Sequence, residues 1–281
     1  MRSDLPRRRF STLFRRHYAI PAEHGAWIWW IGPLLIGVAA GGRPGPDVLL
    51  LALAALAVFL LRQPATIAVK TLSGRRPRSD LAPSLVWCTA YTLTAFAALI
   101  LLAVRGQTKI LWLGIPGFLV FIWHMILVSR REERGQMGVE LVGAGVLALA
   151  APAGYWVAEG TVDAEAWILW ALTWLQSAAS IVYVYLRLGQ RRLDRLPDRR
   201  ERWRMGARTL AYHLFNSGLS LALALLSLVP WAIPIAFALM LADALEGIAH
   251  PPVGARPATI GLRQLAASIL FVLLVVLGYA T

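Results

Sequence analysis

Leu60-Leu-Arg-Gln-Pro-Ala-Thr-Ile-Ala-Val-Lys-Thr-Leu-Ser-Gly-Arg-Arg-Pro-Arg78 begins inside an apolar run and ends in a basic loop. Arg62, Thr66 and Lys70 recur at i, i+4 and i+8, so a helix carries them on one face. A charge near the end of a membrane helix is costly unless it reaches water, a partner or a ligand. Two such charges on one stripe point to a wet or anion-holding cavity. The plainer reading is that both side chains snorkel to the lipid headgroups.

The rest of the chain supports a membrane setting. Of 281 residues, 58% are hydrophobic and only 15% charged, and the mean hydropathy is +0.61. That excludes an ordinary soluble domain. The net charge of +13 does not argue for nucleic acid, because the basic residues lie between apolar runs. Anionic headgroups and the orientation rule account for them. The single cysteine, Cys88, sits in an apolar run and reads as a packing residue. The Arg-rich start is not followed by a short apolar core with a small-residue cleavage site, so no removable signal peptide is expected.

Residues 1–24 read as a basic cytoplasmic leader and 25–281 as a single transmembrane helical domain. Continuous apolar runs predict nine spans, at about 26–40, 47–70, 81–104, 110–128, 138–157, 164–187, 209–228, 231–247 and 260–280. Their unbroken hydrophobicity excludes the alternating pattern of a membrane β-barrel. With the N-terminus inside, 25 of the 28 Lys and Arg fall on the cytoplasmic side, and only Arg43, Arg105 and Lys109 fall opposite. The expected protein is therefore an all-α, polytopic bundle of the bacterial cytoplasmic membrane, N-in and C-out. Its two longest loops, about 71–80 and 188–208, follow spans two and six on the cytoplasmic side.

Span six carries Gln176, Ser180, Tyr183 and Arg187 on one face. Spans two and six thus each end, on the same side, in a polar stripe closed by a basic residue. If the stripes meet, Arg62, Lys70, Tyr183 and Arg187 form a basic pocket suited to phosphate. Glu23, His24 and Glu140 are supporting candidates, Glu140 as a helix-start acid or as a salt bridge to Arg62 or Arg187. His124, His213, Asp243 and Glu246 are the remaining ionisable groups within spans. Asp243 and Glu246 suit either Mg²⁺ or, more simply, neutralisation of Arg263. No zinc spacing, Walker loop, nucleophile elbow or dinucleotide fingerprint is present, and no catalytic residue can be named.

Pro21-Ala-Glu-His-Gly-Ala-Trp27, the following span with Pro33 and Gly37, and the Arg62-Gln-Pro…Lys70 element resemble the YwiC-like family of bacterial membrane proteins. The resemblance extends over most of 17–281 and implies no particular reaction. A more distant resemblance is to the UbiA superfamily of intramembrane prenyltransferases. It rests on the nine-span layout and on Gly145–Tyr185, including Ala151-Pro-Ala-Gly-Tyr155 and Trp174. It implies carboxylate motifs holding Mg²⁺ at the ends of spans two and six. This chain has Arg62, Thr66 and Lys70 at the first position and Tyr183 and Arg187 at the second.

The expected function is accordingly metal-independent. A phosphate-bearing, lipid-like ligand, isoprenoid or phospholipid, would bind the basic pocket, with or without group transfer; no cofactor is expected, and Mg²⁺ is not favoured. Whether the protein is an enzyme stays open. The alternative is a non-enzymatic transporter, or an accessory protein of a membrane complex, working through His124, His213, Asp243 and Glu246.

Overall fold

The computed structural model describes residues 15–21, 24–133 and 135–280. Among these, all regular elements are helical. After a single turn at Arg16–Ala19 come α1 (Ile28–Gly41), α2 (Pro46–Leu72), α3 (Leu81–Val104), α4 (Ile110–Arg130) and α5 (Met137–Leu147). Then follow α6 (Ala150–Glu159), α7 (Glu165–Gln190), α8 (Arg199–Leu225), α9 (Ala232–Ala249) and α10 (Pro257–Ala280). The chain divides into two compact units, Met1–His24 with Gly45–Val139, and Gly25–Pro44 with Glu140–Thr281.

In the first unit α2 packs against both α3 and α4. Pro46 and Asp47 open α2, where a proline loses no helical hydrogen bond and an acid meets the positive helix end. Gly74, at φ +70°, closes it: the N–H of Arg75 reaches the Lys70 carbonyl at 2.8 Å and that of Gly74 reaches Thr71 at 3.1 Å. The Arg16–Ala19 turn is tied down from three directions. Tyr18 donates to Asp80 Oδ1 at 2.8 Å, Gln63 to the His17 carbonyl at 3.0 Å and Tyr91 to the Ala19 carbonyl at 3.1 Å.

In the second unit α7 is central and packs against α1, α6, α8, α9 and α10. α1 lies on α6 through small residues. A Cβ on Gly37 would overlap the Ala151 backbone carbonyl, and one on Gly154 would come within 2.8 Å of the Leu34 carbonyl. With Gly41 against Ala158, this is the close backbone approach of small-residue interfaces in lipid.

Seven helical segments are long and apolar enough to cross a membrane, counting Met137–Glu159 as one, rather than the nine expected. α1 has only 14 residues. α8 falls outside the seven because its basic first ten residues and the polar Thr209, His213, Asn216 and Ser220, buried along one face, lower its hydropathy. The expected span over 138–157 is interrupted between α5 and α6 by Pro152, which has no N–H for the Ala148 carbonyl four residues back. Ala151 donates to that carbonyl instead, at 2.9 Å. The break leaves the Gly145 carbonyl to Trp170, whose indole N–H reaches it at 2.9 Å.

The loop expected over 188–208 is also half helix. α8 begins at Arg199, where the Asp198 carboxylate accepts the Glu201 N–H at 2.8 Å as an N-cap.

Gly37→Ala is expected to destabilise the second unit by about 2 kcal/mol through forced separation of α1 and α6. Gly143→Ala, where a Cβ meets open space, is expected to be neutral. Thermal unfolding of both variants in detergent compares them.

Candidate functional site

α7 buries seven polar side chains in register: Thr173, Gln176, Ser177, Ser180, Tyr183, Arg187 and Gln190. They follow helical spacing, so they form one stripe along the helix. Polar groups within a membrane must find partners inside the protein or a ligand. The Thr173 hydroxyl uses the Leu169 carbonyl at 2.8 Å, and Ser177 uses the Thr173 carbonyl at 3.0 Å. Gln176 reaches Ser268 of α10 at 3.4 Å. Asn216 of α8 donates to the Leu175 carbonyl at 2.9 Å.

Toward the Gln190 end the stripe meets charge. Tyr183 donates to the Asp243 carbonyl at 3.2 Å and lies across Gly247, where a side chain would collide with its hydroxyl. His213 stands edge-on to the Tyr183 ring, centroids 6.2 Å apart, and is 5% exposed. Neither of its ring nitrogens has a hydrogen-bond partner among the described residues. Arg263 bridges the Asp243 carboxylate, at 2.6 and 2.9 Å, to Glu246. Arg263 thus pairs with both acids and offsets one of their two charges.

Arginines close the end of α9. Arg187 donates to the carbonyls of Gly247 and, at 2.8 Å, His250. Arg202 takes the Ala249 carbonyl at 2.8 Å, and Arg191 the Ala255 carbonyl at 3.0 Å. The last carbonyls of a helix lack internal partners and carry negative partial charge, so cations there stabilise it.

The expected anion-binding residues divide between the units. Tyr183 and Arg187 lie together on α7, with the guanidinium carbon 5.7 Å from the ring centroid. Arg62 and Lys70 lie on α2 in the first unit, both half-buried. Lys70 Nζ sits 3.0 Å from Glu133 Oε1, which also receives Arg75 Nη2 at 2.9 Å. Glu140, on α5, accepts the Tyr185 hydroxyl at 2.9 Å. Glu23 lies outside the described residues, and His24 opens a 3-10 turn, His24–Trp27.

The Glu133 carboxyl is the strongly perturbed acid of the α4–α5 link. Burial would push it up, but hydrogen bonds from Arg75, its own backbone N–H and Lys70 outweigh burial and hold it at about 2.

Buried polar stripes in long apolar helices define a multi-pass helical membrane protein. Residues 20–155 match the YwiC-like protein family. Through that region the chain is similar to the YwiC-like family. The Uncharacterized protein YwiC of Bacillus subtilis (strain 168) is 27% identical over 165 residues, which span 59% of this chain and 65% of that protein. No solved structure matches the chain. The stripe on α7 and α8 lies beyond the residues matched to the family.

A carboxyl held below its ordinary value stabilises the fold above about pH 4.5, and that stability drains away as pH falls toward 2. Glu133→Gln is expected to cost about 2 kcal/mol at pH 7 and to flatten the acid limb between pH 5 and pH 2. Thermal unfolding across that range checks it.

Proposed function

We propose that the protein is a transporter of the cytoplasmic membrane that passes protons along the buried stripe between α7 and α8. The observation that carries this reading is His213, a buried imidazole with neither ring nitrogen bonded among the described residues. A neutral imidazole needs one donor and one acceptor partner, and leaving both unmet in a dry interior is costly. A proton path meets that need: the ring takes a proton on one nitrogen and releases another from the second. Tyr183, Asn216, Ser220 and Gln176 continue the hydrogen-bonding groups along the stripe. Asp243 and Arg263 provide charge at one end of it.

This reading takes α1 and α8 as crossings in addition to the seven apolar segments, giving nine, N-in and C-out. The basic residues between spans support that orientation. The inward polar face of α8 supports its being a crossing despite its low hydropathy.

A second reading is a basic site for a phosphate-bearing lipid, without Mg²⁺, at Tyr183 and Arg187 of the second unit or at Arg62 and Lys70 of the first. Tyr183 and Arg187 sharing a buried face favours it. Binding would require Arg187 to leave two carbonyls, and Lys70 to leave Glu133. Any group transfer would follow such binding. Mg²⁺ at Asp243 and Glu246 would have to displace Arg263.

Proteoliposomes with an imposed potential and an internal pH dye test the first reading. Proton flux is expected in the wild type and a loss of about tenfold or more in His213→Ala and Asp243→Asn. No flux in the wild type overturns it. Native mass spectrometry with and without EDTA tests the second. It expects a phospholipid or isoprenoid phosphate that survives chelation and is lost in Arg187→Ala or in Arg62→Ala. A lipid retained equally in both variants excludes this reading.

A further inference from the structure

At the opposite end of α7 from Gln190, the second unit holds a cavity of about 390 Å³. Its lining includes Glu165, the first residue of α7, with Tyr279 of α10 and Ser227 and Trp231 of the α8–α9 link. That is room for about a dozen waters at ~30 Å³ each, or for a small organic molecule. Leu228 and Val229 supply an apolar wall.

The polar groups of the cavity are of one kind. None of its lining residues is Lys or Arg. The Glu165 carboxylate receives one long hydrogen bond, from Tyr155 at 3.2 Å, which leaves most of its acceptor capacity free. Asp163, in the link between α6 and α7, adds negative charge near the Tyr155 hydroxyl. The Tyr279 hydroxyl is buried and has no partner among the described residues. Ser227 sits at φ +58°, where the Leu228 N–H reaches the Leu223 carbonyl at 2.9 Å and its own N–H the Ala224 carbonyl at 2.9 Å. Glycine fills such a helix-ending position with less strain, so the serine hydroxyl is held at the cavity against a backbone preference.

A carboxylate, hydroxyl oxygens and an indole beside an apolar wall match a cation with a hydrocarbon part. A carboxylate without a cation is poorly placed for an anion or for a purely apolar guest. We propose that this cavity binds a small organic ammonium ion, its charged head on Glu165 and Tyr279 and its alkyl chain against Leu228 and Val229. The proposal is independent of the proton path, because Glu165 and Gln190 lie at opposite ends of a 26-residue helix.

The test uses the full chain in phosphatidylcholine nanodiscs, titrated calorimetrically with n-butylammonium and, as an anion of similar shape, pentanoate. Saturable binding of n-butylammonium alone is expected. Glu165→Gln keeps the side-chain size and should weaken it at least tenfold, at roughly 1.4 kcal/mol per decade. Tyr279→Phe should weaken it several-fold, and thermal unfolding without ligand shows whether each variant is folded. No binding by the wild type, equal binding of pentanoate, or unchanged binding in folded Glu165→Gln overturns the proposal. Should Glu165→Gln fail to fold, unchanged binding in Tyr279→Phe overturns it.

Discussion

A helix inside hydrocarbon has no water to complete its polar side chains, and α7 buries seven of them. That constraint arranges the second unit around it. α8 brings Asn216 to a backbone carbonyl of α7, α10 brings Ser268 to Gln176, and α9 offers the Asp243 and Gly247 carbonyls to Tyr183 and Arg187. Serines and threonines on α7 close the remainder on their own preceding turn. His213 stands apart because the helices around it are packed while its ring finds no hydrogen-bond partner among the described residues.

Positive charge serves two purposes in this protein. Many arginines lie between apolar segments, where the membrane asks only for their number. Arg187, Arg191 and Arg202 have fixed tasks: they donate to carbonyls at and just beyond the end of α9 and hold the following link against α7 and α8. Lys70 and Arg75 share a carboxylate in the first unit. A basic residue at a helix end therefore says little about a ligand until its acceptors are known.

Much of the helical layout was legible in sequence because apolar runs of membrane length leave few alternatives. The start and end of α3 fall where its hydrophobic run does, at Leu81 and Val104. α8 was less legible, since its buried face carries the polar groups that depress hydropathy, although Asp198 followed three residues later by Glu201 marks its start. The break before α6 was written in Pro152 and went unread inside an apolar run. The stripe on α7 was visible from spacing, and so was the match of Asp243 and Glu246 to Arg263. The acceptors of Arg187 were not, because Gly247 and His250 offer backbone carbonyls that no residue type announces. The cavity at Glu165 joins residues from three separate segments, which periodicity along one helix does not link.

The glycine contact between α1 and α6 has a consequence for how the protein is made. α1, at 14 residues, spans only about 21 Å, short of a hydrocarbon core of about 30 Å. Its partner carbonyl at Ala151 is synthesised 114 residues after Gly37. At translation rates of about 5–20 residues per second, that is roughly ten seconds. Through that interval the nascent helix lacks the neighbour that buries its glycines.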